Sequence, residues 1–159
     1  MSDTIILGLS IPVEAKQLFV AGLLGLIIGL EREKRGKPAS LKTFSMISVG
    51  SCLFTILSVQ AAGGAHGSPY DMTRIAAQIV TGVGFLGAGV IFKTQDRIEG
   101  VTTAALIWLT AAIGMTCGFN RMNLVIWAFV VGVLMHTICL LYTSPSPRDN
   151  RVSRMPSSA

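Results

Sequence analysis

Run length constrains this chain more than any other feature. Residues 43–63, 75–92, 101–119 and 122–142 form four stretches of 18 to 21 residues without a charged side chain. A helix that crosses the hydrocarbon core of a bilayer needs about 20 consecutive, mostly apolar residues. Charged residues make up 13% of the chain, whereas a typical soluble domain has about 25%. The sequence therefore predicts membrane-spanning helices.

A fifth span is predicted near the N-terminus. Residues 18–30 are apolar, but this stretch alone is too short to cross a bilayer. Extended back to Pro12 it reaches that length, and the charged groups of Glu14 and Lys16 can reach the interface. We expect an all-α, polytopic membrane helical bundle of about five transmembrane helices within residues 1–142. The predicted spans are residues 12–31, 43–63, 75–92, 101–119 and 122–142.

Positive charges are distributed unevenly between the two sides of this bundle. The first and third loops and the C-terminal tail hold ten Lys and Arg residues, whereas the opposite side holds three. Because cytoplasmic loops carry an excess of Lys and Arg, we expect the N-terminus outside and the C-terminus in the cytoplasm. The net charge of +5 then reflects topology, and no nucleic-acid partner is expected.

The composition changes abruptly after Tyr142. Residues 143–159, TSPSPRDNRVSRMPSSA, are rich in Ser, Pro and Arg and have no apolar periodicity. Such a segment cannot bury enough apolar surface to fold, so we predict a disordered tail. We favour a non-native origin, because CLLYTSPSPRD is similar to translated adapter sequence; a natural cytoplasmic tail is the alternative. On the first interpretation, the native sequence ends near Ile138 and a natural C-terminal domain is missing.

The segment TGVGFLGAGVIF contains the pattern G-x-G-x-x-G at Gly82, Gly84 and Gly87, followed by Gly89. In a soluble protein this pattern indicates a dinucleotide-binding turn, which requires a preceding strand and an acidic residue about 20 positions downstream. Here the glycines lie inside an uncharged run, and the acids that follow come too early. An open loop in hydrocarbon would also leave backbone groups without hydrogen bonds. A nucleotide site is therefore disfavoured.

Close helix packing explains these glycines better. Small residues let helix backbones approach each other in a membrane, and they recur at spacings of three or four in three predicted spans. A break or re-entrant kink within residues 82–89 is the alternative, because glycine weakens a helix. The ladders are Ala21, Gly25 and Gly29, then Ala77, Thr81, Gly84 and Ala88, then Thr110, Gly114 and Gly118. The predicted packing positions are Ala21, Gly25, Gly29, Gly82, Gly84, Gly87, Ala88 and Gly89.

Three segments resemble the signature blocks of a known family. They are GLIIGLEREKRGKPASLKTF (residues 25–44), DMTRIAAQIVTGVGFLGAGVIF (71–92) and GVTTAALIWLTAAIGM (100–115). In this order and at this spacing, they resemble the MgtC/SapB family of bacterial inner-membrane proteins. The resemblance covers residues 22–118, which is most of the predicted membrane part.

The resemblance implies a multi-pass protein of the bacterial cytoplasmic (inner) membrane, often with a small soluble C-terminal domain. Members of this family are linked to growth in low magnesium, to survival inside host cells and to restraint of the F-type ATP synthase. The expected partners are therefore the lipid bilayer and another membrane protein complex, such as the F-type ATP synthase. The small-residue ladders also allow a homo-oligomer.

A charged cluster ends the first predicted span. Glu31 and Arg35 form an i,i+4 pair, and Arg32 lies between them. Such a pair stabilises a helix by about 0.2–0.5 kcal/mol. One interpretation is a solvated interfacial cluster that obeys the charge rule. The other is an electrostatic patch that binds anionic lipid or an acidic partner.

A second polar group begins the third predicted span. Asp71 is placed to cap the helix, with Arg74 one turn in and Gln78 a further turn along the same face. Because Gln is costly in hydrocarbon unless it is hydrogen-bonded, Gln78 is expected to face the bundle interior or a wet cavity. The group is either a cap with an interhelical hydrogen bond or a polar entry from the outer side.

The resemblance implies a non-enzymatic regulator, and the small-residue ladders supply helix faces for contact with another membrane complex. No nucleophile–base pair, paired carboxylates or metal-ligand set is recognisable, so we expect no catalytic residue, no metal and no cofactor. A transporter or channel for Mg²⁺ or another cation is the alternative. Mg²⁺ prefers carboxylate oxygens, and none of the eight Asp and Glu residues falls in the middle of a predicted span.

Overall fold

Five helices account for most of the structure, a computed structural model that describes residues 4–6, 9–37, 39–63, 74–94 and 97–142. Two short antiparallel hairpins accompany them, one before the first helix and one between the third and fourth helices. The helices are α1 (Val13–Lys34), α2 (Leu41–Gly63), α3 (Arg74–Gly89), α4 (Val101–Gly118) and α5 (Met122–Tyr142). The strands are β1 (Thr4–Ile6), β2 (Leu9–Ile11), β3 (Phe92–Thr94) and β4 (Arg97–Glu99).

Four of the helices are long and apolar enough to cross a membrane, namely α1, α2, α4 and α5. The third, α3, has 16 residues, which corresponds to about 24 Å of helix. This is slightly shorter than the hydrocarbon core of a bilayer, about 30 Å thick. The architecture confirms the predicted helical membrane bundle.

The boundaries of the third span need correction. The expected span of residues 75–92 ends as a helix at Gly89, and Phe92 already belongs to β3. Lys93 follows in the same strand, so the helix ends four residues before this charged side chain. The two hairpins, which the all-α prediction did not include, lie at helix ends. Residues 74–89 are continuously helical, so the helix does not break at the glycines and the described residues directly ahead of Gly82 form no strand.

Contacts between helix termini define the two ends of the bundle, which we name inner and outer after the predicted orientation with the N-terminus outside. At the inner end, Arg32 of α1 contacts Thr103 of α4, and Gly87 of α3 packs beside the first turn of α4. At the outer end, Glu14 of α1 contacts Gln60 of α2. Consecutive helices therefore run in opposite directions, and the four charged residues that follow Arg32 lie at the inner end.

Glycines bring α1 and α2 into close contact. A Cβ atom on Gly25 would lie 2.7 Å from the Phe44 carbonyl oxygen, and one on Gly29 would lie 2.6 Å from the Leu41 Cα. Ala21, on the same face of α1, is fully buried. This ladder therefore lies at the contact between α1 and α2.

A second close contact joins α2 to α4. A Cβ on Gly114 would collide with the backbone of Ser48, and one on Gly118 would lie 2.6 Å from Thr55 Cβ. Both of these α2 residues are fully buried. Glycine therefore lets both α1 and α4 pack closely on α2, and α4, half of which is buried, is the most enclosed of the long apolar helices.

The face of α3 that packs against the bundle differs from the predicted one. Its buried residues are Ala76, Val83 and Gly87, and a Cβ on Gly87 would meet Ala104 at 3.6 Å. Four of the five predicted positions are exposed, because the apolar side chains of the neighbouring face pack on α2 and α4. These exposed positions are Gly82, Gly84, Ala88 and Gly89.

Candidate functional site

A buried arginine lies at the inner end of α1. Arg32 is 3% exposed, and its Nη2 donates a hydrogen bond of 2.9 Å to Thr103 Oγ1 of α4. Its Nε has no hydrogen-bond partner within the described ranges. A buried guanidinium is costly unless its donors are satisfied. Arg32 is therefore a structural link between α1 and α4 that holds a positive charge inside the bundle.

The neighbouring acid links α1 to α5. Glu31 forms an ion pair with Arg35 one turn along the helix. Its other carboxylate oxygen lies 3.2 Å from Nε2 of His136 on α5. The His136 side chain is 13% exposed, whereas that of Arg35 is 48% exposed. Glu31 therefore connects an interfacial arginine to a histidine in the interior.

The two interpretations of this charged cluster apply to different residues. Arg32 is buried, whereas Arg35 and the charged residues beside it, Glu33, Lys34 and Lys37, are exposed. Only the exposed group can bind anionic lipid or an acidic partner, at about 1 kcal/mol per basic side chain near a membrane surface. We name Glu31, Arg32, Thr103 and His136 the inner cluster.

The structure places the second polar group away from the inner cluster. Arg74 is the first residue of α3 and is exposed, and Asp71 lies outside the described residues. Gln78 is also exposed, and it lines a groove of about 550 Å³ between α2 and α3. The groove is mostly apolar, with Met46 and Phe54 on its α2 side. Gln78 therefore lies outside the bundle interior.

The sequence interpretation missed the polar side of α2. Four residues with hydroxyl groups lie at spacings of three and four, and all are buried where α2 meets its neighbours. Thr55 donates a hydrogen bond of 2.8 Å to the Ser51 carbonyl oxygen of its own helix, which lets a polar side chain pack in an apolar interior. The spacing of these hydroxyl residues is visible in the sequence and indicates one face of a helix. These residues are Ser48, Ser51, Thr55 and Ser58.

His136 was also missed as a partner of Glu31. The two residues are 105 positions apart, so no local spacing indicates the pair. Within the described part of the chain, no three His, Cys, Asp or Glu residues lie close enough together to hold a metal ion. The inner cluster is therefore a set of polar contacts that join α1 to α4 and to α5.

Comparison with known proteins places this architecture in a family. The sequence model of the MgtC family matches residues 18–144 of the chain. This segment contains most of α1 and the whole of the other four helices. No solved structure matches the chain significantly.

Three curated proteins illustrate the similarity. An uncharacterized protein of Haemophilus influenzae is 47% identical over 130 residues, which is 79% of this chain and 51% of that protein. Protein SapB of Bacillus subtilis is 48% identical over 108 residues, 64% of this chain and 46% of its own length. The Escherichia coli protein named "Putative magnesium transporter YhiD" is 44% identical over 122 residues, 75% and 57% of the two chains. The chain therefore spans about half the length of these curated relatives.

Proposed function

The chain belongs to the MgtC family, and from this premise we propose that it is a non-enzymatic regulator of the bacterial inner membrane. It acts through contacts with other membrane proteins, and its activity is linked to magnesium limitation and to membrane ion or ATP homeostasis. The protein is a multi-pass helical membrane protein, so such contacts form between helices within the bilayer as well as at the surface.

The observation that carries this proposal is the exposed face of α3. Gly84 and Ala88 lie on that face, and no heavy atom lies within 4 Å of a Cβ built on Gly84. Small residues permit close approach of another helix. Gln78 is exposed on the adjacent side of α3, where an uncovered amide in hydrocarbon is costly. A helix of a partner protein that packs here covers both features.

The last helix supports the same conclusion. Only 6% of the α5 segment Met122–Cys139 is buried within the chain. Trp127 is 68% exposed and Ile126 is 60% exposed. Two helices, α3 and α5, therefore offer large surfaces to lipid or to a partner, whereas half of α4 is buried.

The family resemblance names a partner. We propose the F-type ATP synthase, because restraint of that enzyme is among the activities linked to the family. The exposed basic residues at the inner end, Lys34, Arg35 and Lys37, suit an acidic surface on the cytoplasmic side of such a complex. Electrostatic attraction of this kind raises association rates and orients the partners.

Transport of Mg²⁺ is the second candidate, and the printed name of the Escherichia coli relative supports it. Two features favour regulation instead. Among the described residues, Arg32 is the charged residue that is buried. Its positive charge repels a cation. The cavity at the outer end reaches Gln17 on α1, and the cavity at the inner end reaches Ile27 on the same helix. These residues are ten positions, or about 15 Å, apart, with buried Ala21 and Gly25 between them.

Photo-crosslinking in native membranes tests the regulator proposal. Phe85 is 80% exposed beside the small-residue face of α3, and Phe19 on α1 is 73% exposed. A photoreactive phenylalanine at each position conserves the aromatic ring. Under magnesium starvation, we expect the probe at 85 to capture another membrane protein complex and the matched probe at 19 to capture mainly lipid. Recovery of the uncrosslinked chain alone from both probes contradicts the proposal.

Reconstitution separates the regulator from the transporter. Purified protein in liposomes that contain a Mg²⁺-sensitive dye is expected to give the same dye response as empty liposomes. Saturable Mg²⁺ uptake that requires the protein would reverse the order of the two candidates.

A further inference from the structure

The outer end of the bundle holds a cavity that the proposed function does not use. Its volume is about 710 Å³, and its walls come from the start of α1, the end of α2 and the turn between α4 and α5. Small-molecule sites are clefts of roughly 300–1,000 Å³, mostly apolar with a few convergent polar groups. The polar lining residues here are Glu14, Gln17, Gln60, Thr116, Asn120 and Arg121.

A buried amide faces this cavity. Gln17 is 5% exposed, it lines the cavity, and its amide is not among the described side-chain atoms that are buried without a hydrogen-bond partner. An amide has two donor hydrogens and one acceptor oxygen. A ligand that both donates and accepts hydrogen bonds would satisfy it.

Two opposite charges line the same cavity without neutralising each other. Glu14 comes from α1 and Arg121 from the turn between α4 and α5, and no ion pair joins them within the described ranges. The carboxylate of Glu14 instead lies 3.5 Å from Nε2 of Gln60, which is a long hydrogen bond. A ligand of one sign would leave one of these charges uncompensated. A zwitterion compensates both.

The remaining walls are apolar, with Ile56, Val59, Phe119 and Leu124 among them. We propose that this cavity binds a zwitterion with a primary ammonium and a phosphate group, the chemistry of a phosphatidylethanolamine headgroup. The ammonium donates to Glu14 and Gln17, and the phosphate accepts from the planar guanidinium of Arg121, a geometry that matches phosphate well. The apolar walls accommodate the glycerol end of the lipid.

Lipid binding to the full chain in detergent tests this directly. Native mass spectrometry compares phosphatidylethanolamine, phosphatidylcholine and phosphatidylglycerol with identical acyl chains. Phosphatidylcholine has no N–H donors on its cation, and phosphatidylglycerol has no cation. We expect phosphatidylethanolamine to bind at least tenfold more tightly than either. Equal binding of the three lipids by the wild-type chain overturns the proposal, whatever happens to any variant.

Matched variants locate the site. Glu14→Gln and Arg121→Gln are each expected to lower the affinity for phosphatidylethanolamine at least tenfold. Arg74→Gln, which removes an exposed charge at the same end outside the cavity lining, is expected to leave it unchanged. Thermal unfolding of each variant confirms that the fold is kept. Equal losses in Arg74→Gln and Arg121→Gln would mean a general charge effect and contradict the assignment.

Competition identifies the source of the ligand. Free ethanolamine phosphate that displaces the lipid supports a site open to water, which takes the soluble headgroup as well. Failure of ethanolamine phosphate to displace a selectively bound phosphatidylethanolamine supports a site that takes the headgroup from the outer leaflet. The crosslinking experiment at Phe85 is independent of both results, so the regulator proposal and the lipid site stand or fall separately.

Discussion

At the scale of single residues, the stability of this bundle depends on where a Cβ atom has room. Gly25 faces the backbone of α2, with the Phe44 oxygen 2.7 Å and the Ser45 Cα 2.9 Å from the position of a Cβ. Gly50, on α2 itself, has no atom within 4 Å of that position. The same substitution therefore has opposite consequences at two helical glycines.

We expect Gly25→Ala to lower the free energy of unfolding by about 1–3 kcal/mol, because backbone atoms must move apart to admit the methyl group. Gly50→Ala is the matched control and is expected to be neutral or slightly stabilising, because alanine favours a helix. Unfolding in mixed micelles measures both. Equal stability of the two variants would mean that α1 and α2 are not in close contact.

The buried pair Arg32 and Thr103 is the second prediction at this scale. We expect the double-mutant cycle of Arg32→Met and Thr103→Val to give a coupling energy of about 0.5–3 kcal/mol, because each change leaves the other group buried without its partner. The control cycle combines Arg32→Met with Thr116→Val, since Thr116 bonds to Ala112 of its own helix. Additive losses in the first cycle would contradict the contact.

At the scale of elements, α5 is the helix with the least burial within the chain. It packs mainly on α4, where Gly132 lies against Leu109, and the Glu31–His136 contact adds a polar link to α1. We expect His136→Leu to lower the free energy of unfolding by about 1.5–3 kcal/mol, the value of a hydrogen bond to a charged group. Amide hydrogen exchange is expected to accelerate in α5 before it does in α2.

Two further variants serve as controls for this contact. His136→Gln keeps a donor and is expected to lose less stability than His136→Leu. Thr137→Ala, at a residue bonded to Val133 of its own helix, is expected to leave hydrogen exchange in α5 unchanged. Uniform acceleration across all five helices in His136→Leu would contradict a specific role in holding α5.

The elements that sequence predicted and those it did not differ in a physical way. Uncharged runs and small-residue ladders are local properties, and they predicted all five helices and the position of Gly25. The burial of Gly87 instead of Gly84 depends on which face of α3 meets α4, which the ladder alone does not determine. The pairing of Glu31 with His136 depends on the arrangement of α1 and α5, so it had no local signal.

At the scale of the whole molecule, the antiparallel order of five helices places different chemical groups at the two ends of the bundle. The inner end holds the basic loop and the inner cluster, and the outer end holds the cavity with Glu14 and Arg121. The exposed faces of α3 and α5 lie between these ends, where lipid or a partner helix covers them. In the regulator that we propose, these exposed faces are the surfaces that contact a partner.

Cysteine accessibility in a chain whose three native cysteines are replaced by alanine tests the five-crossing arrangement most directly. Asn123→Cys lies at the outer end, and Lys37→Cys and Lys93→Cys lie at the inner end; all three residues are exposed. We expect a membrane-impermeant maleimide to label Asn123→Cys in intact spheroplasts, and to label the other two only after permeabilisation. Labelling of Lys93→Cys from outside while Lys37→Cys stays protected would show that α3 does not cross the membrane, and would contradict the account.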